Sequence, residues 1–185
     1  MNRTLWLIAE DRKGAEITAR ILKIKYPTLQ VQVRFAKGVS DLAQKLEGFI
    51  KLAQSQRKPE DCIAVLHDAD EYTLPHERHD HDAIAKVCLQ YVDDVIHLTA
   101  HDEIESWLLA DGGICNWLKQ KPANYDDQKL PSKILAGWLD KAKKGRYREV
   151  DLPNILRHVD GSADTHSQSL RRALTDLTDA GCMPR

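Results

Sequence analysis

The chain has 185 residues, a net charge of −1, 42% hydrophobic residues and 30% charged residues. This suits one soluble globular domain of ordinary size, with room for a small appendage and a real core. No apolar run approaches the ~20 residues of a membrane helix, which excludes a membrane-spanning role.

The N-terminal MNRTLWLIAED has too short an apolar stretch for a signal peptide and no small-residue cleavage site, so a cytoplasmic location is expected. Cys62, Cys88, Cys115 and Cys182 lie far apart with no CxxC pair. They are read as buried or incidental thiols rather than a zinc site or a disulfide frame.

The small net charge hides an asymmetry. Residues 1–58 carry 12 basic and 5 acidic groups (+7), residues 59–111 carry 2 and 14 (−12), and residues 112–185 carry 13 and 9 (+4). An acidic centre between basic flanks makes sense if the acids hold cations and the flanks hold a polyanion. The plainer alternative is that many of the acids are solvated loop residues, as at 76–82.

Residues 4–9, TLWLIA, predict a buried strand ending at Glu10. Ile17, Ile21 and Ile24 repeat at helical spacing and Pro27 stops that helix. Val31, Val33 and Phe35 alternate as in a strand. Ser40 suits a helix N-cap, and Leu42, Leu46, Phe49, Ile50 and Ala53 form the stripe of the helix after it. Residues 62–66 predict a short buried strand of a parallel sheet. Ile84, Val87, Cys88 and Tyr91 mark a third helix, Val95 to Thr99 a fourth strand, and Ile104, Trp107 and Leu108 the start of a fourth helix. Farther on, Ser132 to Lys144 predicts a helix stopped by Gly145, and 167–178 a last one.

Strands alternating with helices over 4–111 predict an α/β domain with a mostly parallel four-stranded sheet flanked by helices, Rossmann-like in outline. Right-handed crossovers put the strand C-termini at one edge, where ligands of such sheets bind. Glu10 and Asp11, Lys37, Asp68 and Asp70, and the segment AHDEIE would gather there. The strand CIAVLHDAD ends on two carboxylates one residue apart, which share a face while the chain stays extended. Neither is buried cheaply without a counter-charge. A hard divalent cation is the natural partner, since Mg²⁺ takes one or two carboxylates plus waters and substrate phosphates. Such DxD pairs also occur at ordinary loop starts.

The joint pattern resembles the Toprim fold of topoisomerases, primases and several nucleases, which carries a glutamate after its first strand and a DxD after its third. Here these are Glu10 in LIAED and Asp68 and Asp70 in LHDAD. The segment EIESWLLAD, 103–111, resembles the ExW-LL segment of small stand-alone Toprim-like proteins related to RloB and the nucleases of the OLD (overcoming lysogenisation defect) class. Later segments, GRYREVDLPNILRHVD and HSQSLRRAL, are similar to C-terminal segments of the same proteins. The sequence departs from the family in placing Asp11, not glycine, after Glu10.

The resemblance implies a Toprim-like core at 1–111 with a mainly helical extension, 112–185, packed on it. It implies catalytic and metal-binding roles for Glu10, Asp68, Asp70 and Glu105, with Trp107 and Leu108 as packing. The cofactor would be Mg²⁺ or Mn²⁺ and the reaction phosphodiester cleavage, in which carboxylate-held ions activate water and relieve phosphate charge. Asp68 and Asp70 would hold one ion and Glu10 would share it or act as general acid/base. Glu105 would help hold a second ion.

The segment KAKKGRYR offers Lys141, Lys143, Lys144, Arg146 and Arg148 to a nucleic acid, DNA ahead of RNA, with Lys144 and Arg146 also placed to stabilise a transition state by charge. The resemblance to the OLD-class nucleases, whose other half is an ABC/SMC-like ATPase, implies such an ATPase partner and a role as effector subunit in anti-phage defence, which would make up for so modest a patch and the lack of a nucleotide-binding motif, with no membrane involved. The alternatives are a catalytically silent partner-binding subunit, an RNA-processing nuclease and a receiver-like signalling domain.

Other residues carry weaker signals. His76, His79 and His81 in HERHDHD suit a solvated loop better than zinc, for want of regular spacing or cysteine. His67 is read either as orienting a carboxylate or contacting phosphate, or as filling the edge of the core. Trp6, Trp107, Trp117 and Trp138 are expected to pack in cores. GxSxG, P-loop and GxGxxG motifs are absent from the sequence, which leaves serine-hydrolase, NTPase and dinucleotide readings without support.

Overall fold

A computed structural model describes residues 3–69 and 75–183, without the side chains of 75–78. Its order is β1 (Thr4–Ala9), α1 (Arg12–Lys25), β2 (Gln30–Phe35), α2 (Val39–Gln56), β3 (Cys62–Ala69), α3 (Pro75–Gln90), β4 (Val95–His101), α4 (Glu105–Ala110), α5 (Gly112–Leu118), α6 (Pro131–Lys141), α7 (Leu152–Leu156) and α8 (Gln168–Asp179). The four strands form one all-parallel sheet in the order β2-β1-β3-β4, flanked by helices. This is the α/β, Rossmann-like outline expected from the alternation.

The chain divides into two compact units, one of Met1–His67, Tyr72–Thr99 and Ala173–Arg185, the other of Asp68–Glu71 and Ala100–Arg172.

In the first unit β1 lies between β2 and β3, and Leu5, Trp6, Leu7, Ile8 and Ala9 are all buried, as a strand covered on both faces requires. Trp6 and Ile8 share a core with Ile63 and Val65 of β3, Leu42, Leu46 and Ile50 of α2, and Ile84 and Cys88 of α3. The edge strand β2 differs. Its register pairs Val33 with Leu7 and Phe35 with Ala9, yet Val33 and Phe35 remain 38% and 45% exposed.

Three local expectations are corrected in this unit. Helix α2 starts at Val39 after Gly38, so Ser40 is not its cap; the Ser40 hydroxyl bonds to Asp80 instead. Residues 76–82 lie in α3 rather than in a loop. Cys62 and Cys182 form a disulfide, while Cys88 and Cys115 are free and buried. The bridge joins the start of β3 to the end of the chain and, with Arg3 donating to the Gly181 carbonyl, fastens the C-terminal segment within this unit. These groups border a pocket of about 470 Å³, also lined by Arg57, Asp61 and Asp94.

The second unit is built round α4, whose six residues are all buried. α6, α5 and the 3-10 turn Ala163–Thr165 pack against it. α6 ends at Lys141, short of the expected Lys144, and Lys143 and Gly145 follow at φ 54° and 104°. Most of KAKKGRYR is therefore loop, because two left-handed residues cannot continue a helix.

Candidate functional site

Glu10 follows β1 in the first unit. Its N–H donates to the Leu66 carbonyl (3.1 Å) and its own carbonyl accepts from Gly38 (3.0 Å), so its backbone is pinned between β3 and the loop after β2. Asp11, the residue that departs from the family pattern, is the N-cap of α1, its carboxylate accepting from the Gly14 N–H at 2.7 Å. It serves its own helix by satisfying one of the open N–H groups of the first turn.

Also in the first unit, His67 is buried at the end of β3. Its Nε2 meets His97 Nε2 at 2.7 Å and its Nδ1 meets His81 Nδ1 at 3.1 Å. Two N···N bonds need one proton each, which three neutral rings supply. Burial pushes His97 below the usual histidine range. His81 is therefore part of a packed imidazole chain, and His67 fills the edge of the core. His79 is exposed, and the His76 side chain lies outside the described residues.

The second unit holds Asp68 and Glu105. Asp68 Oδ1 accepts from the backbone N–H of Ile104 at 3.0 Å, which ties the end of β3 to the residue before Glu105. Glu105, 2% exposed, opens α4 and accepts from the Tyr147 hydroxyl at 2.6 Å. Asp68 thus meets the backbone beside Glu105, and Tyr147, within the basic segment 141–148, bonds the Glu105 carboxylate. Asp70 lies outside the described residues, and Glu10 belongs to the first unit.

The neighbouring acids of AHDEIE do structural work. Asp102, at φ 60°, accepts from the Leu130 N–H (3.0 Å), and Glu103 accepts from the Ser132 N–H (2.7 Å) in the first turn of α6. Trp107 and Leu108 are fully buried, as packing residues should be.

Two carboxylates that the sequence did not single out organise this unit. Asp126, 4% exposed, accepts from the Ser167 and Ser169 hydroxyls and from the N–H groups of Gln168 and Ser169 at 2.7–2.9 Å, and from the Ser106 hydroxyl at 3.3 Å. Asp111, fully buried, caps α5 through Ile114 and accepts from the N–H groups of Asp160 and Gly161. A side chain at Gly113 would put Cβ 2.1 Å from the His158 carbonyl, so only glycine allows this close approach.

Desolvation raises Asp111 to about 6, and the adjacent Asp160 carboxylate adds to the rise. Desolvation acts to raise Asp160 too, but hydrogen bonds from Ser162 outweigh it and hold Asp160 low. Of the two carboxylates, Asp111 is the harder to ionise. A raised acid contributes stability below its unfolded value of 3.8 that is lost as pH climbs through about 6. The lowered Asp160 contributes the opposite way, above its folded value. Stability of the second unit is therefore expected to fall between about pH 4 and pH 6 in urea titrations and to level off above that. Asp111→Asn should flatten that slope; an unchanged slope would show that Asp111 is not its source.

Lys141, Lys143, Lys144, Arg146 and Arg148 are all exposed. Arg148 pairs with Asp151 at 2.7 Å, a surface contact weak enough to exchange for a phosphate. Trp117 and Trp138 are half-buried rather than core, unlike Trp6 and Trp107. Trp138 meets Tyr125 edge-on.

No family model, curated protein or solved structure matches this chain.

Proposed function

We propose that the chain is a Toprim-like, divalent-metal-dependent nuclease. The observation that carries this reading is the Asp68–Ile104 hydrogen bond. It sets a strand-end carboxylate one residue from the buried Glu105, which in turn is held by a tyrosine of the basic segment.

Among the described residues no group of three or more His, Cys, Asp and Glu is arranged to hold a metal ion. The second unit still offers two hard carboxylates, the number Mg²⁺ commonly takes from protein when waters and substrate phosphates complete its shell. The donor set therefore fits Mg²⁺ or Mn²⁺ and does not fit a soft-metal site. Asp68 and Glu105 would hold the ion, with Asp70 and Glu10 as the remaining acids of the motif. A bound ion would supply charge relief and a more acidic water. Ile104 and Tyr147 orient the two carboxylates, and the exposed lysines and arginines of 141–148 attract the phosphate backbone.

Saturating Mn²⁺ is expected to raise the melting temperature by about 5 °C or more through linkage. Asp68→Ala and Glu105→Gln should lose that rise and any cleavage of labelled DNA. An Asp68→Ala protein that cuts as well as the parent would rule the site out.

An ATPase partner and a role in phage defence are part of the same reading, supported by the modest size of the basic segment. Recovery of an ATPase with the tagged chain is the test. None of the described helices is long and apolar enough to cross a membrane. A cytoplasmic location is proposed with it, and the Cys62–Cys182 bridge gives it a direct test, since disulfides persist mainly in oxidising compartments. Trapping the thiols in intact cells reads which state holds there.

A further inference from the structure

We propose that Trp117 and His158 form a stacking platform for an unpaired nucleotide, and that the strand this protein takes is single-stranded at that point. The inference rests on the nucleic-acid reading of the same unit and adds the class of strand.

The indole of Trp117 and the imidazole of His158 lie nearly parallel, 10° apart, with centroids separated by 4.0 Å. Both are half-buried, so the stack is neither a core contact nor fully solvated. Lys144 Nζ lies over the Trp117 ring at 5.9 Å, near the outer limit of a cation–π contact. Lys144 is itself exposed, so this weak contact can give way to a phosphate. Desolvation, with Lys144 and Arg157 adding to it, lowers the pKa of His158, which favours the neutral ring.

Flat rings beside exposed cations are how single strands are held without sequence preference. Bases stack on aromatic faces while lysines and arginines follow the backbone. A duplex hides its base faces and can use only the cations. Lys141, Lys143, Lys144 and Arg146 come from the loop that also delivers Tyr147 to Glu105. A strand held on this platform therefore has its phosphates on the segment that touches the candidate metal centre.

The test measures binding of a fluorescent 20-nucleotide oligo-dT and of the matching dT·dA duplex to the full chain in EDTA, so that no cleavage intervenes. The single strand should bind about tenfold more tightly than the duplex and quench the indole fluorescence. Trp117→Leu should abolish that preference and most of the quenching. Lys144→Gln, an exposed change that leaves the fold alone, should weaken single-strand binding and reduce its salt slope by about one.

Equal binding of both forms, with Lys144→Gln and Trp117→Leu unchanged, would overturn the platform. Mn²⁺-dependent cleavage of the duplex in a parallel assay would then leave the nuclease reading standing. Neither binding nor cleavage of either form would overturn both.

Discussion

Reduction of the Cys62–Cys182 bridge is expected to cost this protein more stability than any single surface change. The two cysteines are 120 residues apart in sequence. Closing a loop of that length removes conformational freedom from the unfolded chain worth about 5 kcal/mol on the chain-entropy account. For a chain of this size, that corresponds to a melting temperature lower by roughly 10–20 °C. The bridge and Arg3 fasten the segment after α8, where Cys182 and Met183 are buried. Thermal melts with and without a dithiol reductant test this, beside Cys182→Ser. Reduced parent and Cys182→Ser should melt together, well below the oxidised parent. Under denaturing, non-reducing conditions only Cys88 and Cys115 should react with a thiol reagent. A melting temperature indifferent to reductant would show that the bridge does not form or does not matter.

The bridge also marks what the sequence could not disclose. Hydrophobic period is a local property, so β1, α1, β2, α2, β3, α8 and the parallel sheet could be read from runs such as TLWLIA and from the stripe Leu42, Leu46, Ile50. Which of four distant cysteines meet is not local, and spacing carries no information about it. The same holds for HERHDHD. Its polarity suggests a solvated loop, yet it is helical, and His81 turns inward to a ring partner, His67, which in turn bonds His97. Asp68 and Glu105 stood out because DxD and ExW are short motifs with a chemical reason. Tyr147 did not stand out as a partner of Glu105. That contact depends on a chain reversal at Lys143 and Gly145, of which only the glycine is visible in sequence.

Asp126 is the other place where a large effect is expected, and it sits in a stretch, NYDDQK, that reads as plain polar loop. Its carboxylate joins the 119–130 segment to the start of α8. One oxygen takes the N–H groups of Gln168 and Ser169, and the other takes three serine hydroxyls. Ser167 adds a bond to the Leu170 N–H, so the open donors of the first turn of α8 are met from two sides. The Ser169 hydroxyl passes the connection to Trp107 by accepting its Nε1–H at 2.8 Å, and the Asp126 carbonyl bonds His101 Nδ1 at 2.7 Å. Asp126 thus supports both neighbours of Glu105 on its C-terminal side, Ser106 directly and Trp107 through Ser169. Asp126→Ala strands two helix donors and three hydroxyls in a buried place, and should cost about 3–5 kcal/mol. Asp126→Asn should cost only about 1 kcal/mol. The amide oxygen can still accept from Gln168 and Ser169 while the amide nitrogen donates to serine hydroxyls, whose protons are free to turn. Only the attraction between a full charge and the start of α8 is lost. Urea denaturation reads both differences as shifts in midpoint. If Asn proved as damaging as Ala, the bonds from the serines would not be interchangeable in the way their geometry implies. If Ala cost less than 1 kcal/mol, the network would not be what holds this unit together.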